Sequence, residues 1–361
     1  MTKTIKTLQL ILFLIVSQIA LGQTNTEEAL SKGREAIELM ENGKFDESIK
    51  LLKEAQKLDP DRFDYPYEIA YAYYSKEDYK NAAKILEKIR THKDVSDKLF
   101  QLLGNCYDIL GKPEKAFEIY DQGLEIFPKS GNIYLEKGNI YWGRKDYNKA
   151  LNCYEKGIEV DPTFPSNYYR ASLLYCSSNQ EVWGLLYGEI FMNLERKSKR
   201  TIEISKLLFN TYKREIKFTN DTSISVSFCQ QTTFDENSIF DSMHLKIPFC
   251  MIFEPTFLIS MNAEKSIDIN SLDRIRSKFI DIYFESERDK THPNALFSYQ
   301  KKVKDAGHIE AYNHWILMIG DEDGFDKWLS TNKDKWDSFV KWFVENRLQL
   351  SDTHRFYSGQ Y

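Results

Sequence analysis

Basic blocks, catalytic signatures and cysteine pairs are all scarce in this sequence, and each scarcity removes a class of protein. No long Lys/Arg run occurs and the formal net charge is -5. The counterion release that drives binding to a phosphate backbone therefore has no basic face to act through, and nucleic acid is excluded as a partner. No Gly-rich phosphate loop, G-x-S-x-G elbow or HExxH pair is present, so the local marks of nucleotide, serine-nucleophile and zinc chemistry are missing. The five cysteines, Cys106, Cys153, Cys176, Cys229 and Cys250, are odd in number and contain no CxxC pair. Disulfides are therefore not the framework of the fold.

Long apolar runs are also scarce. The one prominent run, Leu8 to Leu21, is about 14 residues, short of the roughly 20 that a helix needs to cross a bilayer. It follows Lys3 and Lys6 and ends in Ala20-Leu21-Gly22, with small residues at -3 and -1. That order is the pattern of a secretory leader cleaved before Gln23, giving a signal peptide over 1–22 and an exported protein, periplasmic or extracellular, with no stable membrane span once the leader is removed. In an oxidising compartment Cys229 and Cys250 are open to pairing, whereas Cys106, Cys153 and Cys176 read as small apolar packing residues. The remainder is 42% hydrophobic and 29% charged across 361 residues, a balance that buries a core and suits more than one domain.

What is abundant is periodicity. Pro60, Pro128 and Pro162 fall at multiples of 34 residues. With the proline at position 32 of each repeat, position 8 is Ala36, Ala70, Gly104, Gly138 and Ser172, and position 20 is Ser48, Ala82, Ala116, Ala150 and Gly184. Position 11 is Leu39, Tyr73, Tyr107, Tyr141 and Tyr175. Small side chains at two fixed points of an antiparallel helix pair allow close backbone approach, and larger ones such as Phe100, Leu103, Tyr107 and Tyr120 fill the space around the crossing. Short turns such as Glu41-Asn42-Gly43-Lys44 separate the two helices. The second repeat has Asp94 where the proline would be, and the fifth has Gly188 and Phe191 at positions 24 and 27. The fifth repeat's second helix is therefore expected to pack differently or to form a junction.

The pattern resembles the tetratricopeptide-repeat family over about 29–198. The resemblance implies a mainly α protein with a right-handed α-solenoid of five helical hairpins over 27–198; beyond it the residues themselves place a capping or linking helix at 199–216, with Ile204, Leu207, Leu208 and Tyr212 on one side, and a mainly helical carboxy-terminal domain at 217–361. The period-two alternation of Ser223-Ile224-Ser225-Val226-Ser227-Phe228 places a strand, and hence a small sheet, in that last part. The apolar stretch Met243 to Met261, broken by Pro248 and Pro255, reads equally as a strand pair or a short buried helix. Two later stripes, Leu272, Ile275, Phe279, Tyr283 and Trp336, Phe339, Val340, Phe343, Val344, read as helical core, and 352–361 as a loose tail.

In the family the first helix of each pair lines a groove that holds an extended peptide or a partner's helix. Groove-facing positions here are Tyr67, Tyr71 and Tyr74 in repeat two, Gln101, Asn105 and Asp108 in repeat three, Asn132, Asn139 and Trp142 in repeat four, and Tyr169 in repeat five. Amides that donate and accept suit a peptide backbone, and tyrosines suit its side chains. The expected function is an exported, non-catalytic scaffold for a peptide or protein partner. The alternative is a carboxy-terminal enzyme or ligand-binding module with the repeats as its targeting arm. No cofactor is implied. His308 and His314 lie six apart, off the four-residue spacing of a helical metal pair, and Asp321, Asp323 and Asp326 around Gly324 read as a helix-joining turn rather than a calcium loop.

Overall fold

A computed structural model describes residues 25–220, 223–229, 248–261 and 264–361. The leader at 1–22 and the first part of the Met243–Met261 stretch lie outside the described residues. The chain forms two compact units, Met1–Pro128 and Lys129–Tyr361, so the division falls between repeats three and four.

The first unit contains three hairpins: α1 (25–41) with α2 (Phe45–Leu58), α3 (Asp64–Ser75) with α4 (Tyr79–Ile89), and α5 (Asp97–Ile109) with α6 (Pro113–Ile126). The second begins with two more, α7 (Gly131–Gly143) with α8 (Tyr147–Val160) and α9 (Pro165–Tyr175) with α10 (Glu181–Leu194). Ala36, Ala70, Ser48, Ala82, Ala116 and Ala150 are all fully buried, as positions 8 and 20 require. Phe100, Leu103, Tyr107 and Tyr120 are buried beside them. At Gly104 the crossing is so close that a Cβ would lie 2.1 Å from Tyr120 Cε1.

The turn inside each of the first four hairpins has one geometry. Gly43, Glu77, Gly111 and Lys145 hold position 15 of repeats one to four, with φ of 75°, 66°, 72° and 62°. In repeat one the Gly43 N–H donates to Met40 O (3.0 Å) and the Lys44 N–H to Leu39 O (2.9 Å). The corresponding pairs recur at Glu77, Gly111 and Lys145, so the left-handed residue closes the last carbonyls of every first helix in those repeats. Asp78 and Asp146, one residue on, then cap α4 and α8 by accepting from the backbone N–H of Asn81 and Lys149.

Beyond the repeats the second unit continues with α11 (Lys199–Glu215) and an antiparallel pair, β1 (Ile216–Asn220) with β2 (Ser223–Val226), in which Ile216 faces Val226 and Phe218 faces Ile224. The expected small sheet is this two-stranded ribbon. Helices α12 (Phe249–Ser260), α13 (Ile269–Glu285), α14 (Arg288–Thr291), α15 (Ala295–Asp305), α16 (Ile309–Leu317), α17 (Glu322–Thr331) and α18 (Lys333–Glu345) complete it. Phe249–Ser260 is thus a helix, not a strand pair, with Pro255 on its exposed side. Cys229 and Cys250 form a disulfide that ties the segment after β2 to α12. Cys106 and Cys176 are buried thiols.

Two expectations are corrected. Val340 and Val344 are exposed while Phe339 and Phe343 of the same stripe are buried, because α18 turns only its aromatic edge toward Tyr312 and Trp315. The segment 352–361 is not loose: Phe356 is 0% exposed, enclosed by Trp183, Tyr187 and Phe249.

The fifth repeat shows why α10 differs from the other second helices. All residues from Glu181 to Asn193 are buried. Gly188 stands where repeats three and four carry a tyrosine, and a Cβ there would meet Leu208 and Ile204 of α11 at 2.8 and 3.0 Å. The missing side chain admits α11 onto α10 and makes the junction.

Opposite substitutions test this backbone reading. Glu77→Gly and Lys145→Gly, which relieve a left-handed non-glycine residue, should each raise the unfolding free energy by about 0.5–1 kcal/mol. Gly104→Ala, which overpacks the hairpin crossing, should lower it by about 1–3 kcal/mol. Urea unfolding followed by circular dichroism reads both signs, and the account fails at the turns if the glycine variants are destabilised.

Candidate functional site

The ten groove positions fall in both units, and each unit is described separately. In the first, Tyr67, Tyr71 and Tyr74 follow one another at spacings of four and three on α3, which puts them along one helical face. Tyr67 is half-buried and stacks on Phe63 at 5.7 Å between centroids, and burial pushes its hydroxyl pKa well above the ordinary value. Tyr74 meets Tyr79 edge-on at 5.3 Å. Tyr71 is 44% exposed. On α5, Gln101, Asn105 and Asp108 are all half-buried. Asn105 Oδ1 accepts from the Tyr120 hydroxyl at 2.5 Å, so its amide carbonyl orients the ring that lies against Gly104.

The second unit repeats that arrangement one period later. Asn139 Oδ1 accepts from the Tyr154 hydroxyl at 3.1 Å, Asn139 Nδ2 donates to Glu136 at 3.0 Å, and Tyr154 lies against Gly138. Asn105 and Asn139, two of the amides expected to meet a peptide backbone, thus each accept from the tyrosine at position 24 of their own repeat. Trp142 is half-buried, 6.3 Å from the Tyr154 ring, with the Arg170 guanidinium 5.2 Å above its face. Tyr169 donates to Glu203 Oε2 at 2.6 Å and has Arg200 5.0 Å over its ring; burial, with Glu203 second, pushes its pKa up to about 12. Asn132 is half-buried near the start of α7.

The histidines weighed for metal chemistry do not converge. His314 is buried and stacked on Trp328 at 4.1 Å, with Nδ1 2.8 Å from Glu310 O and Nε2 3.2 Å from Asn270 Oδ1. Burial lowers its pKa, as it does for His308, which lies against Trp342 instead. Asp321 accepts from the backbone N–H groups of Gly324 and Ile269, so its carboxylate caps two helices. Among the described residues no group of three or more His, Cys, Asp or Glu is placed to hold a metal ion.

Two polar clusters escaped the sequence reading. Glu189, on α10 and 2% exposed, accepts through Oε1 from Arg276 Nη2 (2.7 Å), Tyr312 OH (2.8 Å) and Gln300 Nε2 (2.5 Å). Arg276 also donates to Asn313 Oδ1 (2.9 Å) and Tyr212 OH (3.1 Å), and a cavity of about 20 Å³, room for roughly one water, adjoins the group. Burial opposes the guanidinium charge of Arg276, but Glu189 and the phenols outweigh it and hold the pKa above the ordinary value. The readable signal was the single acid inside Trp183-Gly-Leu-Leu-Tyr-Gly-Glu-Ile-Phe-Met. The second cluster centres on Glu155 of α8, whose two oxygens accept from Tyr175 OH (2.9 Å) and Tyr187 OH (2.7 Å). Burial raises its pKa. A cleft of about 740 Å³ also opens in this unit, bounded by Trp183, Phe249, Met251, Glu254, the Cys229–Cys250 bridge and Tyr361.

Helical hairpins of one length, crossing at paired small residues, define a repeat scaffold. Models described as tetratricopeptide repeat match residues 34–94, 97–130 and 131–164, and the segments they match are tetratricopeptide repeats. No curated protein matches the sequence. Similar solved structures include MamA, at 20% identity over 45% of this chain and 94% of that one with a TM-score of 0.37. They also include TTC0263, a thermophilic TPR protein of Thermus thermophilus, at 16% identity over 50% and 98% with a TM-score of 0.42. PilF of Pseudomonas aeruginosa is similar at 14% identity over 53% and 86% with a TM-score of 0.44.

The Glu189 cluster makes a sharp stability prediction. Glu189→Ala strands Arg276 without its partner and should cost about 3–5 kcal/mol, whereas the double Glu189→Leu, Arg276→Met variant, which removes both charges, should cost less than that single change. Thermal unfolding of the three proteins measures the difference, and a double variant less stable than Glu189→Ala would contradict the reading.

Proposed function

We propose that this tetratricopeptide-repeat scaffold is exported, has no catalytic role, and holds a peptide or partner protein on the first-helix faces of its amino-terminal repeats. The observation that carries the reading is the α3 face, where Tyr67, Tyr71 and Tyr74 stand in line and Tyr71 is 44% exposed. Tyrosine offers a large contact area with few rotamers to freeze and a hydroxyl for a backbone group, which suits an extended peptide. In the second unit the equivalent positions are engaged within the chain, Asn139 by Glu136 and Tyr154 and Tyr169 by Glu203. Partner binding is therefore assigned to the α3 face around the exposed Tyr71. Export is supported by the leader pattern and by the Cys229–Cys250 disulfide, a bond that persists in oxidising compartments.

The alternative of a ligand-binding carboxy-terminal half draws on one observation, the cleft of about 740 Å³, a size and an apolar lining that suit a small molecule. Its carboxylate, Glu254, already accepts from the backbone N–H groups of Phe228 (2.6 Å) and Cys229 (2.9 Å), which fits a wall better than a catalytic acid.

A photoreactive phenylalanine analogue placed at Tyr71, and for comparison at the exposed Val344, separates the readings in the protein recovered from the extracytoplasmic fraction. The scaffold reading expects a mature chain beginning at Gln23 and a discrete protein adduct from position 71 alone. Equal adducts from both positions, or a leader still attached in a cytosolic fraction, would contradict it.

A further inference from the structure

The cleft of about 740 Å³ in the second unit has a lining of uneven chemistry. Aromatic rings form part of it: Trp183 of α10 and Phe249 of α12 stack at 5.1 Å between centroids, and Tyr361 lies 4.8 Å from Phe249. Met251 and Leu258, 54% and 43% exposed, continue the apolar lining along α12. Among the described residues that line the cleft, Glu254 alone carries a charge.

Glu254 is half-buried, and its Oε1 accepts from the backbone N–H groups of Phe228 (2.6 Å) and Cys229 (2.9 Å). Both bonds fall on that one oxygen, and among the described residues no hydrogen bond or ion pair reaches Oε2. Burial holds the carboxyl above its ordinary value in spite of the two N–H groups, so the protein leaves this charge poorly compensated. Nearby charge does not make up the deficit. Arg214 pairs with Glu215 and lies 3.7 Å from Glu181, while burial first, then Glu215 and Glu254, raises the Glu181 carboxyl.

These features select among ligands. An anion such as a fatty acid or a phosphate ester would meet a carboxylate and no basic side chain in the lining. A neutral apolar molecule would fill the cleft but leave Oε2 without a donor. A cation on an apolar body meets both demands: its N–H group makes a charge-assisted bond to the carboxylate, and the aromatic rings, negative above their faces, favour positive charge.

We propose that the cleft binds an organic cation, an amine or ammonium head on an apolar body, with the head at Glu254 Oε2 and the body against Trp183, Phe249, Met251 and Leu258. The proposal rests on the ligand-binding reading of the cleft and is independent of the α3 face and its partner.

Fluorescence titration of the full chain with three probes of one shape tests it: a dansyl group joined through a pentyl chain to a primary ammonium, the same molecule with that nitrogen acetylated, and the same molecule ending in a carboxylate. The ammonium probe should bind about tenfold more tightly than the acetylated one, and the carboxylate probe more weakly than either. Glu254→Gln keeps a carbonyl oxygen for the Phe228 and Cys229 N–H groups, and should bring the ammonium probe down to the level of the acetylated one. Met251→Trp, which puts an indole into the cleft from an exposed position, should weaken both probes together. The wild-type comparison and Met251→Trp carry the test whether or not Glu254→Gln folds. An ammonium probe that binds no tighter than the acetylated one, or a preference that survives in a folded Glu254→Gln protein, overturns the proposal alone. Absence of binding by all three probes overturns the ligand-binding reading of the cleft with it and leaves the α3 face untouched.

Discussion

Everything in the second unit is arranged around one helix that has no outside. A helix normally needs only one apolar stripe, but α10 is buried from Glu181 to Asn193, and its sequence is apolar all round except where a partner is provided. The provision at Glu189 is strict. A carboxylate so enclosed must be paired and hydrogen-bonded, and Arg276, Gln300 and Tyr312 supply those bonds from three different helices. Because the pair works only in one geometry, it sets the register of α13, α15 and α16 on the fifth repeat. The same helix offers Gly188 to α11, Trp183 to α12 and Tyr187 to the tail.

That constraint accounts for the division after Pro128. Repeats four and five belong to the same compact unit as the carboxy-terminal helices, and their first-helix side chains are engaged there by Glu136, Arg170, Glu203 and Arg200. Repeats one to three form the other unit and keep Tyr71 exposed. Within this periodic sequence position 24 marks the junction with α11: it is tyrosine in repeats three and four, where it locks onto an asparagine and a glycine, and glycine in repeat five, where it admits another helix.

The periodic features were legible in the sequence because their cause is local. Small residues at positions 8 and 20 mark crossings wherever they recur, and the alternation at Ser223 marked a real strand. What escaped notice has no period. The Arg276–Glu189 pair joins residues 87 apart, and a lone acid in an apolar run announces that a partner exists without naming it. The tail is held by the fully buried Phe356 and the half-buried Tyr361 with exposed residues between, so its composition reads as loose although it is packed. The groove positions could be counted from the period, but the bonds their side chains make within the chain could not. Asn105 and Asn139 looked free to clamp a backbone because position 24, with which they bond, lies on the other helix of the hairpin.

The claim on which the rest depends is that repeats four and five fold with the carboxy-terminal half and not with repeats one to three. Native-state hydrogen exchange read by mass spectrometry measures it directly, since cooperative units open together. The account predicts that amides of α7 to α10 share one opening free energy with those of α13 and α16, and that α1 to α6 open separately. Exchange in which α7 to α10 open together with α1 to α6, leaving α11 to α18 as an independent unit, would contradict it.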